Sequence, residues 1–136
     1  MDTLNRDDVE RLYEPYWADG RTPLFECGDG WLGILGDLEQ KFETLNEPVR
    51  VVQVKEKFGR LTVRTKRFTP QIAGWVGAAE AASEFTCEVC GNPGALGARN
   101  YWWSTRCDTC KPEGWEVAEE GEDVEAALAN WVPGGE

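Results

Sequence analysis

The apolar positions of this chain follow the helical period in some segments and the strand period in others. In residues 31–45 they recur every three or four positions, which is the spacing of one helix face: Trp31, Leu35, Leu38, Phe42 and Leu45. Residues 6–13 and 123–132 read as shorter helices, with Asn5 and Asp123 as N-cap residues. The pattern therefore predicts helices in these three segments, and Asp29 stands where it could cap the one at 31–45.

Residues 49–68 have a different character, because they are rich in Val and Thr and contain Gly59 near the middle. This pattern predicts two antiparallel strands, at 49–56 and 61–68, joined by a turn at 57–60. Residues 69–85 then read as a helix, with Thr69 as its cap and Pro70 at its first position. The predicted fold class is α+β, with small helices packed on an antiparallel hairpin.

Four of the five cysteines form two C-x-x-C pairs, and these predict a metal site at Cys87, Cys90, Cys107 and Cys110. Two such turns supply the four tetrahedral sulfur ligands that Zn²⁺ accepts, although an iron centre of the rubredoxin kind uses similar spacing. Four thiolates saturate a tetrahedral ion, so we expect a structural site. With a strand expected at 101–105, the layout fits a zinc ribbon or a treble clef. Pro112 and Gly114 disfavour the treble clef, which needs a helix there.

This arrangement divides the chain into three parts. Residues 1–86 form a domain of helices and a β-hairpin, residues 87–115 a zinc-ribbon-like module, and residues 116–136 an acidic link with a C-terminal helix. The longest apolar runs are too short to span a membrane. The polar, acidic N-terminus is unlike a secretory signal. We therefore expect a cytoplasmic protein, in which reduced thiols favour a metal over disulfides.

Charge is distributed unevenly along this acidic chain. The net charge is −11, yet residues 48–70 contain seven of the 14 Lys and Arg residues and a single acid. These bases are either solvated strand positions or a site for an anion. For the second case, the candidate ligand-binding residues are Lys55, Lys57, Arg60, Arg64, Asp29 and, as a stacking ring, Trp31. The cysteine module has two arginines against two acids in residues 87–110, so we do not expect it to bind DNA or RNA directly.

Catalysis has little support in the sequence. The chain contains no histidine, which excludes histidine-based triads and histidine general bases. Cys27 stands between the acids Glu26 and Asp29, which disfavour a thiolate, so a small buried side chain is the expected role.

The ordered set "CGDGW", "QVKEKFGRL", "CEVCGNPG" and "CDTC" resembles a family of small uncharacterised proteins found in bacteriophages and bacterial genomes. The resemblance covers about residues 24–110. That family usually carries Gly-Leu-Arg after Lys-Phe-Gly, whereas this chain has Arg60-Leu61-Thr62. The resemblance implies no reaction, and its frequency in phages implies a role in managing the host, such as countering defences that use nucleic acids or nucleotide signals.

Three functional hypotheses follow. The first is a non-enzymatic, zinc-stabilised binding protein whose partner is an anionic, nucleotide-like small molecule or a host protein. The second is an acidic mimic of nucleic acid that occupies a basic host protein. The third is a small enzyme that uses Asp29 with Lys55 or Lys57. The oligomeric state stays open.

Overall fold

The computed structural model of the protein describes residues 5–18, 22–46 and 48–118. The helices and strands of these residues, in chain order, are α1 (Arg6–Leu12), β1 (Phe25–Glu26), α2 (Leu32–Phe42), β2 (Val51–Lys57), β3 (Arg60–Thr65), α3 (Pro70–Ser83), β4 (Ala95–Arg99), β5 (Trp102–Arg106) and β6 (Glu116–Val117). The α+β class is confirmed, with helices on an antiparallel hairpin and the four cysteines clustered beside them. The helix predicted at 123–132 lies outside the described residues.

The first sheet has the order β1-β2-β3. β2 and β3 form the predicted hairpin, in which Val54 lies opposite Val63 and Lys57 opposite Arg60. Phe58 and Gly59 make the two-residue turn, with φ angles of 54° and 81°. Left-handed conformation at both positions belongs to the turn type that matches the twist of paired strands. The sequence missed the two-residue strand β1, which pairs in parallel with β2.

The helices cover one face of this sheet. α3 packs on β3, α2 packs on α3, and α1 packs on α2. Val54, Leu61 and Val63 point into the core between sheet and helices, together with Trp31 and Phe42. Alternate residues of β3 point inward, as the strand period of two requires, whereas a register irregularity between Val51 and Gln53 interrupts the alternation in β2.

Side chains of α3 protect the open edge of β3. The backbone N–H of Leu61 donates to Ser83 Oγ at 3.0 Å, and the N–H of Val63 donates to Glu80 Oε2 at 3.0 Å. An uncovered strand edge is a template for pairing with other chains. The helix therefore both buries the apolar face of the hairpin and satisfies its outer backbone groups.

Two of the predicted helix caps are confirmed and one is wrong. Asn5 Oδ1 accepts from the N–H groups of Asp7 and Asp8, and Thr69 Oγ1 accepts from the N–H of Ile72. Asp29 does not cap α2, because the 3-10 turn Asp29–Trp31 precedes that helix and carries the chain into it. Its carboxylate instead accepts a hydrogen bond of 2.9 Å from Arg6 on α1.

The second sheet has the order β5-β4-β6 and belongs to the cysteine module. β4 and β5 form a hairpin between the two cysteine pairs, and Gly97 and Ala98 of β4 also pair with β6. Glu116–Val117, which follows the predicted boundary after residue 115, completes this sheet. Gly97 lies so close to the ring of Trp115 that a Cβ there would lie 2.5 Å from two ring carbons. Of the helices in the described residues, none has the length and apolar character needed to cross a membrane.

Candidate metal centre

Each cysteine pair forms a tight backbone turn that presents two sulfur atoms. In the first turn, the N–H of Gly91 donates to the carbonyl of Cys87 at 2.9 Å. Gly91 has a φ of 82°, the left-handed region that glycine adopts without a steric cost. In the second turn, the N–H groups of Cys110 and Lys111 donate to the carbonyl of Cys107 at 3.2 and 3.0 Å. The two turns are thus built alike, one before the β4–β5 hairpin and one after it.

The four sulfur atoms of Cys87, Cys90, Cys107 and Cys110 converge, and all lie within 4.8 Å of one another. The sulfurs of Cys90 and Cys107 are 3.6 Å apart. Tetrahedral zinc with Zn–S bonds of about 2.3 Å requires sulfur separations of about 3.8 Å. The cluster therefore has the size and donor set of a four-coordinate metal site, and these four residues could hold a metal ion.

The backbone of the turns favours the thiolate form of two ligands. The backbone N–H of Cys110 is the main reason why the pKa of Cys107 is lowered to about 7. Burial raises the pKa of Cys87, but hydrogen bonds from the N–H groups of Cys90, Val89 and Cys107 outweigh it, so this pKa is also lowered. Because the thiolate is the form that binds a metal, the turns prepare these sulfurs for coordination.

The "CGDGW" segment packs against the first cysteine turn. The N–H of Gly30 donates to the carbonyl of Glu88 at 2.9 Å, and Trp31 Nε1 donates to the carbonyl of Thr86 at 2.9 Å. A Cβ at Gly28 would overlap the carbonyl oxygen of Glu88, and one at Gly30 would overlap that of Cys87. The two glycines are therefore required by close backbone contact with the cysteine module.

The turn of the β2–β3 hairpin packs against the same module from another side. Thr105 Oγ1 donates to the carbonyl of Gly59 at 2.7 Å, and Thr105 is fully buried. A Cβ at Gly59 would lie 2.9 Å from the backbone nitrogen of Ser104 and 2.7 Å from a methyl group of Leu96. The motifs that carry the family resemblance are thus neighbours in space, because "CGDGW" and the Lys-Phe-Gly turn both pack on the segments that carry the cysteines.

Glu88 joins the first cysteine turn to β5. Its carboxylate accepts from the N–H of Thr105 at 3.0 Å and lies 3.8 Å from Nε of Arg106. Burial is the main cause of the raised pKa of this carboxyl group. The sequence analysis missed Glu88 and Thr105, because nothing in their local sequence distinguishes them from solvated strand and turn residues.

The six residues predicted to bind a ligand do not form one cluster. Trp31 has no exposed surface, so it is a core residue and not the stacking ring that the sequence suggested. Asp29 is bonded to Arg6, and Arg60 forms an ion pair of 3.2 Å with Glu84 at the end of α3.

The other three predicted ligand residues share the outer face of the hairpin. Lys57 lies opposite Arg60, Lys55 opposite Thr62, and Arg64 opposite Gln53, so Lys55, Lys57 and Arg64 project to the side away from the core. The Lys57 ammonium lies 5.8 Å from the centre of the Phe58 ring. Within the part of the chain that the structure describes, the side chains of Lys55 and Arg64 have no hydrogen bond or ion pair. We call Lys55, Lys57 and Arg64 the outer basic face.

Cys27 is separate from the cysteine cluster. Its side chain packs against the hydrophobic core, and burial raises the pKa of its thiol to about 12, although Arg6 acts in the opposite direction. A thiol with this pKa is almost entirely protonated at neutral pH and is a poor nucleophile.

Comparison of the chain with protein-family models, with curated proteins and with solved structures found no match. The chemistry of the residues is therefore what indicates a function.

Proposed function

We propose that this protein is a non-enzymatic binding protein, stabilised by a zinc ion at Cys87, Cys90, Cys107 and Cys110, that binds an anionic ligand or partner through its basic hairpin. The cysteine cluster supports a closed site, since four thiolates leave a tetrahedral zinc no position for water or substrate. Zinc is the proposed metal because it has no redox chemistry and accepts the tetrahedral four-sulfur geometry without preference for another shape. Its role is to hold the module against which Gly30 and Gly59 pack.

The observation that carries the binding proposal is the basic hairpin in an otherwise acidic chain. Seven basic residues and one acid occupy residues 48–70, while the net charge of the chain is −11. Lys55 and Arg64 project from the hairpin without an ion pair among the described residues. Exposed cations that their own chain does not neutralise favour an external anion.

Other features favour binding over catalysis. The proposed Asp29–lysine pair has its carboxylate bonded to Arg6 instead, and the Cys27 thiol has a pKa of about 12. We therefore propose no reaction. The family resemblance extends the proposal to a bacteriophage protein in the host cytoplasm, where the ligand or host partner would belong to a defence response.

Two measurements test this proposal. Elemental analysis of the purified protein should find one zinc per chain, and iron or no metal would contradict the zinc assignment. Thermal melting with pyrophosphate, AMP and polyglutamate at low salt should show a rise with at least one of these anions, and the rise should disappear at high salt. No rise with any of them would contradict the binding proposal.

Hairpin variants and a control variant that remove the same charge test whether the rise in melting temperature depends on the hairpin. Replacing the seven hairpin bases with Ala in overlapping blocks of two should reduce the rise, for the anion that binds, in at least one block. The control Arg11→Ala/Lys41→Ala removes the same charge from exposed positions on α1 and α2, and should leave the rise unchanged. Equal losses in the hairpin and control variants would indicate a nonspecific response to net charge.

A further inference from the structure

A groove lies where the open end of the basic hairpin meets the start of α3. Its volume is about 440 Å³, and it is lined by Pro48, Arg50, Lys66, Arg67, Thr69 and Ile72. Pockets for small ligands have volumes of roughly 300–1,000 Å³. We call this feature the open-end groove. None of its lining residues belonged to the ligand-binding set that the sequence predicted.

The lining of the open-end groove is strongly basic. Three of its six residues are cationic and none is acidic, although the chain has 25 acids and 14 bases. Arg50 donates to the carbonyl of Pro15 at 3.3 Å, and a carbonyl is a neutral acceptor. Neither Arg50 nor Arg67 forms an ion pair within the described ranges, and the Arg67 guanidinium makes no hydrogen bond there. Among the described residues, therefore, no carboxylate neutralises these two guanidinium groups.

The backbone holds these cations side by side. The N–H of Lys66 donates to the carbonyl of Arg50 at 2.9 Å, which continues the strand pairing beyond Thr65. Thr65 Oγ1 donates to the carbonyl of Arg67 at 2.8 Å and fixes the chain where it leaves the hairpin. The Ile72 side chain is 2% exposed, so it forms an apolar floor that belongs to the core. Hydrogen bonds therefore fix the backbone that carries the cations, and the buried Ile72 side chain forms the bottom of the groove.

The start of α3 adds to the positive potential of the groove. Thr69 caps the helix by accepting from the N–H of Ile72, and Pro70 has no N–H. The N–H of Gln71 in the first turn has no acceptor among the residues that the structure describes. The N-terminus of a helix carries a partial positive charge that favours anions. This contribution supplements that of the Arg50 and Arg67 guanidinium groups.

The outer basic face differs from the open-end groove in shape. On one strand, side chains of the same face are about 6.6 Å apart and point in parallel, since each residue advances the strand by about 3.3 Å. Lys55 and Lys57 are related in this way. A flat array of this kind suits an extended acidic surface. The concave groove lets cations from two chain segments approach one compact anion.

We infer that the open-end groove binds the phosphate group of a small ligand, with Arg50 and Arg67 as the residues that hold it. A guanidinium can donate two parallel hydrogen bonds to a phosphate. A phosphate also carries more negative charge than a carboxylate, so two neighbouring arginines attract it more strongly. This inference rests on the proposed function, because it specifies where the basic hairpin receives its anion and which chemical class that anion belongs to.

Calorimetric titration of the metal-loaded protein tests the inference with inorganic phosphate, pyrophosphate, AMP and acetate at low salt. Pyrophosphate or AMP should bind, and acetate should not. The Arg50→Ala/Arg67→Ala variant should weaken this binding by at least about tenfold, a loss of about 1.4 kcal/mol. The matched Lys55→Ala/Arg64→Ala variant removes the same charge from the outer basic face and should weaken the binding by less than about threefold, as expected for screened surface charges.

The same titrations distinguish two sources of the phosphate group. Stronger binding of AMP than of inorganic phosphate would identify a phosphate ester as the ligand, and the reverse would identify the free ion.

The outcomes separate this inference from the proposed function. A loss confined to the Arg50/Arg67 variant supports the groove. A loss confined to the Lys55/Arg64 variant, or binding of polyglutamate without binding of any phosphate compound, overturns the groove and leaves the binding function intact. No binding of any anion overturns both. All four arginine and lysine positions are exposed or half-buried, and unchanged thermal melting of each variant without ligand confirms that the fold survives.

Discussion

Two hairpin turns in this molecule have nearly the same backbone and opposite surroundings. Phe58 and Gly59 have φ angles of 54° and 81°, and Asn100 and Tyr101 have φ angles of 50° and 67°. Gly59 is buried against Ser104 and Leu96 of the cysteine module. Tyr101 is 96% exposed. The φ angles of a turn are therefore set by its own backbone geometry, whereas its burial depends on the residues that it packs against.

Local strand pairing is enough to form the turn, since Arg99 and Trp102 pair around the exposed one as Lys57 and Arg60 pair around the buried one. Packing adds a second requirement, because a side chain at Gly59 would meet the backbone of β5. The exposed turn tolerates Tyr101 in a left-handed conformation, which costs an L-residue roughly 1–2 kcal/mol. The buried turn also holds a left-handed side chain at Phe58, but it has no room for one at Gly59, which packs against the cysteine module.

Removal of the proposed metal should have the largest effect, because the ion would hold together the cysteine module on which the buried turn packs. Cys107→Ser, or chelation of the native protein, should lower the free energy of unfolding by several kcal/mol, since a structural zinc site contributes on the order of 10 kcal/mol. Denaturant unfolding and hydrogen exchange at Gly59 and Thr105 would measure this. Cys27→Ser is the control, because Cys27 lies outside the cluster, and its metal content should stay native. Native stability of metal-free protein would show that the module folds without its ion.

Gly59→Ala should have the next largest effect. Alanine at a φ of 81° is strained, and its Cβ would lie 2.9 Å from the Ser104 nitrogen. We expect destabilisation of about 2–4 kcal/mol from the left-handed strain and the overpacking together. Gly77→Ala is the matched control, because a Cβ at this helical position meets nothing within 4 Å. It should stabilise the protein by about 0.5–1 kcal/mol. Equal effects of the two substitutions in thermal unfolding would refute the docked geometry.

Thr105→Val should show a smaller loss. It removes the hydroxyl that donates to the Gly59 carbonyl while keeping the shape of the side chain. A buried carbonyl left without its partner costs about 1–3 kcal/mol, which urea unfolding can measure. Thr62→Val, on the outer face of β3, should change stability by no more than about 0.5 kcal/mol. If both variants unfolded at the same urea concentration, the hydrogen bond would contribute nothing to docking.

Tyr101→Gly should have the smallest effect and the opposite sign. Glycine adopts the φ of 67° without strain, and the exposed Tyr101 ring loses little packing. We expect a gain of no more than about 1 kcal/mol in the free energy of unfolding, because glycine also has more entropy to lose on folding. A clear loss of stability would mean that the tyrosine ring makes contacts that its exposure does not indicate.

Much of the fold was predictable because it depends on local patterns. The three-to-four-residue spacing around Leu35 and Leu38 indicated α2, and the Thr69–Pro70 pair marked the cap and the first residue of α3. The C-x-x-C spacing identified all four residues of the sulfur cluster. Each of these signals lies within a few residues, where backbone geometry alone dictates the outcome.

The errors concern residues whose role depends on distant neighbours. Trp31 was expected at a ligand, but the packing of the "CGDGW" segment on the first cysteine turn places it in the core. Asp29 was expected to cap α2, but its carboxylate accepts a hydrogen bond from Arg6 instead. The cations at Arg50 and Arg67 were part of the basic segment, yet only the meeting of the hairpin end with α3 makes them line a groove.

By itself, the sequence determined the class of the fold, the hairpin, two of the helix caps and the four sulfur donors, because periodicity, capping and tetrahedral ligand spacing act over short stretches of chain. Only the tertiary structure decided which glycines are indispensable, which cations face a groove and which aromatic residues reach solvent. Those properties depend on the surface that a distant segment presents, and the spacing of residues along the chain does not record it.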